Sequence, residues 1–121
     1  MSELIRRTEL NSGVVVEFFT RGNRYFGDFH RVDILAVVVV PFIRARLPEN
    51  LREFAGPYHG VIHYEKSLQR MGVATSQVET VSQELIDNFL LSVRSYLEKP
   101  GFAEGLLHRE MVKKAAQTSY Y

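Results

Sequence analysis

The amino-acid sequence predicts an α+β fold: an antiparallel β-meander of about three to five strands, packed against a long C-terminal amphipathic helix and a shorter second helix. Runs of β-branched and aromatic residues, separated by turn-forming residues, fill most of the chain up to residue 74 and are typical of strands. From residue 76 onward, apolar residues recur at steps of three and four, which is the spacing of a sheet-packing helix.

Length and composition indicate one ordinary globular domain spanning residues 1–121. Hydrophobic residues make up 45% of the chain and charged residues 24%. This composition supplies enough apolar residues for a packed core that needs no stabilising metal ion or disulfide. The formal charge is only +1, with 15 basic against 14 acidic residues, so binding to nucleic acid is not expected. The chain has no cysteine, which excludes disulfides, thiolate catalysis and cysteine-ligated zinc.

The chain carries no recognisable targeting or membrane segment. The first residues include an early acid and no apolar stretch of the signal-peptide kind. The longest apolar run, residues 34–43, is about half a helical membrane span. We therefore expect a cytoplasmic protein that does not insert into membranes.

The first three strands follow from composition and turn signals. Leu4–Leu10 is predicted as a short strand that ends at the turn-forming residues Asn11–Gly13. Val14–Thr20 is predicted as a strong strand, followed by a hairpin turn at Arg21–Asn23, because glycine and asparagine tolerate the positive φ of such turns. A long third strand is predicted from Tyr25 to Val40.

The end of that third strand is unusual because every residue from Ile34 to Val40 is apolar. An antiparallel strand with one wet face alternates between apolar and polar residues, so this run is predicted to be buried on both faces. The C-terminal helix can cover one face. The other face requires a second layer, which comes either from this chain or from another copy of it.

The remaining elements are predicted from periodicity and capping signals. Residues 41–60 are irregular apart from one helical turn at Glu49–Phe54, and Val61–Val73 alternates as a half-exposed strand. Ser76 and Glu79 form an S-x-x-E capping box that predicts the start of the long helix, and Thr80 with Gln83 is a second, competing match. Pro100 and Gly101 end this helix, and a shorter helix is predicted from about residue 102 to residue 116.

Four polar residues are the candidates for ligand binding. Asp28 and His30 share one face of a strand about 7 Å apart, so the carboxylate could orient the imidazole. His63 and Tyr64 lie on the later strand and are the other two candidates. No pattern typical of a catalytic site or a phosphate loop occurs, so no catalytic residue and no cofactor is predicted.

Two further patterns favour ordinary structural roles. His59 and His63 would lie about 13 Å apart in an extended chain, too far to share one ion, so no metal site is predicted. The segment from Arg24 to Phe29 mixes basic and aromatic residues, as single-stranded nucleic-acid binders do. It lacks the glycine and the aromatic residue of an RNA-binding RNP1 signature, having Tyr25 and Asp28 there instead.

Two functional hypotheses from different classes follow. The first is a non-enzymatic, cytoplasmic module that self-associates or binds a protein partner, with a homodimer as the simplest assembly. Its candidate interface residues are the apolar side chains of the third strand and the long helix: Val37, Val39, Leu90, Leu91 and Leu97. The alternative is a small-molecule-binding or catalytic domain with a pocket between sheet and helix.

Overall fold

The computed structural model describes residues 3–26 and 29–118. One four-stranded antiparallel sheet has the strand order β1-β2-β3-β4, so each strand pairs with its neighbour in the sequence. The strands and helices have the following bounds: β1 Glu3–Glu9, β2 Val15–Phe26, β3 Phe29–Pro41, α1 Glu49–Ala55, β4 Val61–Ala74, α2 Val78–Leu97 and α3 Phe102–Thr118. The predicted α+β class and the antiparallel meander with two C-terminal helices are confirmed.

The turn between β1 and β2 forms where the sequence predicts it. Gly13 has a φ of +85°, which a residue with a side chain rarely adopts, and its N–H donates to the carbonyl of Leu10. Residues 42–60, which connect β3 to β4, contain α1 and two short 3₁₀ turns, at Arg44–Arg46 and Gly56–Tyr58. Leu51 and Ala55 of α1 are buried, so this connection is part of the core.

The predicted hairpin turn at Arg21–Asn23 is wrong. Strand β2 continues through these residues to Phe26, which pairs with Phe29 at the start of β3. The register shifts between Thr20 and Asn23, so that two residues of β2 lie opposite one residue of β3. The two residues of β2 in this β-bulge are Arg21 and Gly22, and glycine is common in bulges as well as in turns.

The predicted capping box of the long helix is also wrong. Residues 75–77 form a 3₁₀ turn, and α2 begins at Val78 with Gln77 in the capping position and no side-chain cap. Ser76 therefore lies one residue too early to cap the helix. The Oγ1 atom of Thr75 instead forms a hydrogen bond of 2.9 Å with Nε2 of His30 on β3. This bond connects the start of the helical layer to the sheet.

The helices and one face of the sheet share a single hydrophobic core. Helix α2 contacts β3 and β4, and α1 packs against α3. Phe18 of β2 and Phe89 of α2 meet edge to face, with ring centroids 5.9 Å apart. Leu106 and Leu107 of α3 complete the same cluster.

Candidate functional site

Between Ile34 and Val40, the two faces of β3 are in different environments although both are apolar. Ile34, Ala36, Val38 and Val40 point toward the helices and are at most 1% exposed. Leu35, Val37 and Val39, which alternate with them, point to the other side and are only partly buried. We call this second side of the sheet the open face. The helices cover one face of β3, so the predicted second layer is needed only on the open face.

The strand register places three rows of neighbouring residues across the open face. Each row is given in the order β1, β2, β3, β4: Glu9, Val15, Val39 and His63; Arg7, Glu17, Val37 and Glu65; Leu4, Phe19, Leu35 and Ser67. The two inner strands thus supply mostly apolar residues, and the two edge strands supply mostly polar or charged ones. This is the composition of an interface with an apolar centre and a polar rim.

The apolar centre of the open face is continuous. Its five side chains, which come from β2 and β3, are Val15, Phe19, Leu35, Val37 and Val39. Each is partly buried by neighbours in the sheet, and within the described part of the chain none packs against the core cluster. Leu4, which is 48% exposed, extends the block onto β1. A continuous apolar surface that is only partly buried within its own chain is typical of sites of association.

The structure separates the five predicted interface residues into three places. Val37 and Val39 lie in the apolar centre of the open face. Leu90 and Leu91 line a shallow groove on α2 beside Arg6, and Leu91 is 82% exposed. Leu97 is buried in the core of the chain and offers no surface to a partner.

The four predicted ligand-binding residues do not form one site. Asp28 lies outside the described residues. His30 is buried and bonded to Thr75, next to Val73 at one end of β4, whereas His63 lies ten residues away along that strand. This separation is about 33 Å in an extended strand. Tyr64 pairs with Val38 and therefore faces the helices, on the opposite side from His63.

Tyr64 does line a cavity between the sheet and the helices. The cavity has a volume of about 190 Å³, and its walls include Val38, Phe89 and Leu106. Arg109 of α3 lies at this cavity and donates a hydrogen bond to the hydroxyl of Tyr96. Pockets for drug-sized ligands occupy about 300–1,000 Å³. The cavity is therefore small, and only one of the four predicted residues reaches it.

Other kinds of site find no support in the described residues. No cluster of three or more histidine, aspartate or glutamate side chains suited to a metal ion occurs within residues 3–26 and 29–118. In the same part of the chain, no helix combines the length and the apolar character needed to cross a bilayer. Comparison with known proteins gives no match to a protein-family model, a curated protein or a solved structure.

Sequence reasoning identified Val37 and Val39 but not their companions on β2 and the edge strands. Composition places Val15 and Phe19 in a strong strand but does not indicate that they share a face with Arg7 and Glu65. The signal that could have found them is the strand register, which a single sequence does not fix because it depends on the three bulges of the sheet.

Proposed function

We propose that this protein is a non-enzymatic, self-associating module of the cytoplasm that forms a homodimer through the open face of its sheet. The observation that carries the proposal is the continuous apolar centre of that face, which the helices of the same chain leave uncovered. A second copy of the chain covers it with a surface of the same kind, as two-fold symmetric dimers do.

The size of the open face suits a dimer. Strands β2, β3 and β4 contain 12, 13 and 14 residues and therefore extend about 40 Å. Strand β1 contains 7 residues and extends about 23 Å, so at about 4.8 Å per strand the whole face, with its polar ends, offers on the order of 700 Å² per copy. Stable interfaces bury about 800 Å² per partner. The open face is therefore large enough to hold two copies together.

The test compares the same change at two valines, one in the apolar centre of the open face and one on α3. Val37→Glu places a carboxylate in the apolar centre between Glu17 and Glu65, and we expect it to convert the dimer into a folded monomer. Val112→Glu on α3 is the matched control, because Val112 is 53% exposed and lies away from the sheet; it should leave the dimer intact. Sedimentation equilibrium at micromolar concentration gives the mass, and circular dichroism reports folding.

Either of two results would contradict the proposal. If the wild-type chain is monomeric at high micromolar concentration, it does not self-associate and the proposed homodimer is wrong. A Val37→Glu variant that stays dimeric shows that the copies meet elsewhere, for example along the exposed edge of β4.

A second candidate function rests on the cavity beside Arg109. A guanidinium at an apolar cavity of this size suits a small carboxylate with a benzene-sized apolar group, since an engineered 150 Å³ cavity binds benzene. Titration with benzoate, followed by amide chemical shifts, tests this. Shifts at Tyr64, Tyr96 and Arg109 that Leu106→Trp abolishes would support it, and an unchanged spectrum would remove it.

A further inference from the structure

The geometry of the open face points to one particular dimer: two sheets packed face to face about a two-fold axis that runs parallel to the strands, between β2 and β3. This inference rests on the proposed self-association and adds how the two copies are oriented. It follows from the three rows of the open face and from the symmetry operation.

Rotation about such an axis reverses the order of the strands and keeps each residue in its row. Strand β1 of one copy then lies over β4 of the other, and β2 lies over β3. Sheets in sandwiches pack about 10 Å apart with their strands about 30° from parallel. At that angle, two opposed residues at the edge of the face are displaced from each other along the strands by only about one residue length.

This orientation opposes unlike charges at both edges of the interface. In the second row, Arg7 of each copy lies over Glu65 of the other. In the first row, Glu9 lies over His63, whose imidazole can donate a hydrogen bond to the carboxylate. Each pair occurs twice because of the symmetry. Such rim pairs contribute little affinity individually, but they select the orientation in which they form.

The same orientation places apolar residues of β2 over apolar residues of β3. Val15 meets Val39 in the first row, and Phe19 meets Leu35 in the third row. Within the three rows, Glu17 is the one charge that the inner strands supply, and it lies over Val37. Its neighbour across the strands is Arg7, which can contact Glu17 of its own copy and Glu65 of the other.

The competing two-fold axis lies in the plane of the interface and crosses the strands. Centred on the second row, it places each strand over its own equivalent, so that Arg7 meets Arg7, Glu17 meets Glu17 and Glu65 meets Glu65. Three like-charged contacts then occupy the middle of the interface, which disfavours this orientation.

Cross-linking distinguishes the two axes, because the wild-type chain contains no cysteine. The variants Arg7→Cys and Glu65→Cys are prepared singly and also co-expressed with different affinity tags, so that the mixed dimer can be purified. Each dimer is treated with a short bis-maleimide. We expect a covalent dimer only for the mixed species. In that dimer, one of the two symmetry-related Arg7–Glu65 pairs keeps its native residues, and the other pair is replaced by two cysteines that face each other.

The results separate this inference from the proposed function. Cross-linking of either single variant with itself, or a mixed dimer that does not cross-link, overturns the strand-parallel axis while the protein is still a dimer. A wild-type chain that is monomeric by sedimentation overturns the proposed function itself.

Charge exchange in the first row is an independent test. His63→Glu places a carboxylate over Glu9 twice, and we expect the dimer Kd to rise on the order of tenfold. Adding Glu9→Lys restores an opposite pair and should return the Kd to near the wild-type value. If the double variant dissociates as readily as His63→Glu alone, Glu9 and His63 do not face each other and the orientation is wrong.

Discussion

The two faces of β3 have similar residues and different surroundings. Val38 and Val40 are enclosed by the helices and are at most 1% exposed, whereas Val37 and Val39 between them lie on a face that the described helices leave open. A valine thus contributes to the stability of the single chain on one face and is available for association on the other. Hydrophobicity along a strand therefore does not distinguish a core from an interface.

The largest expected contrast is between two lysine substitutions at adjacent positions. Val38→Lys buries an unpaired charge beneath α2, which costs at least about 3 kcal/mol and should give insoluble or unfolded protein. Val39→Lys can extend its ammonium group into water from the open face and should give a folded, soluble monomer. Soluble yield and cooperative thermal unfolding are the measurements. A folded, soluble Val38→Lys variant would show that β3 is wrongly placed in the core.

A smaller contrast is expected between the two neighbouring phenylalanines of β2. Phe18→Ala removes a fully buried ring that packs on Phe89 and should lower the free energy of unfolding by about 3–5 kcal/mol. Phe19→Ala affects the open face and should cost about 1 kcal/mol. Both are measured by urea denaturation in the Val37→Glu background, where we expect no dimer to contribute. Equal losses would mean that the two faces are equally buried in the monomer.

The smallest contrast concerns two arginines of β1. Arg6 donates to Asp87 of α2 over 2.9 Å, but both side chains are more than one-third exposed, so Arg6→Ala should cost under about 1 kcal/mol. Arg7→Ala should change the free energy of unfolding by less than about 0.5 kcal/mol and raise the dimer Kd several-fold. Denaturation and sedimentation on the same samples separate the two effects. A Kd that responds to Arg6 rather than Arg7 would place the interface on the helical side.

Much of the fold could be predicted because it depends on local patterns. The apolar stripe of α2, the alternation along β4 and the glycine turn at residue 13 each specify an element without reference to the rest of the chain. The prediction failed at the turn of the β2–β3 hairpin, because a strand with a glycine-containing bulge has the same local composition as a turn. It failed again at the start of α2, where a 3₁₀ turn displaces the capping position.

The candidate site was only partly predictable. Val37 and Val39 could be named because a run of seven apolar residues exceeds what one covered face needs. Leu97 could not be distinguished from Leu91 as a surface residue, because both belong to the broad apolar side of α2 and only packing buries one of them. Of the described ligand candidates, His30 lies near one end of the sheet, whereas His63 and Tyr64 lie near the other end on opposite faces.

The sequence by itself determined the class of fold, the number of long helices and the presence of one strand too apolar for a single covered face. These properties follow from the periodicity and the propensity of nearby residues. Only the tertiary structure decided which face of that strand the helices cover and which charges border the other face. The physical reason is that strand register and bulges set the face of every side chain, and these arise from pairing between segments far apart in the chain.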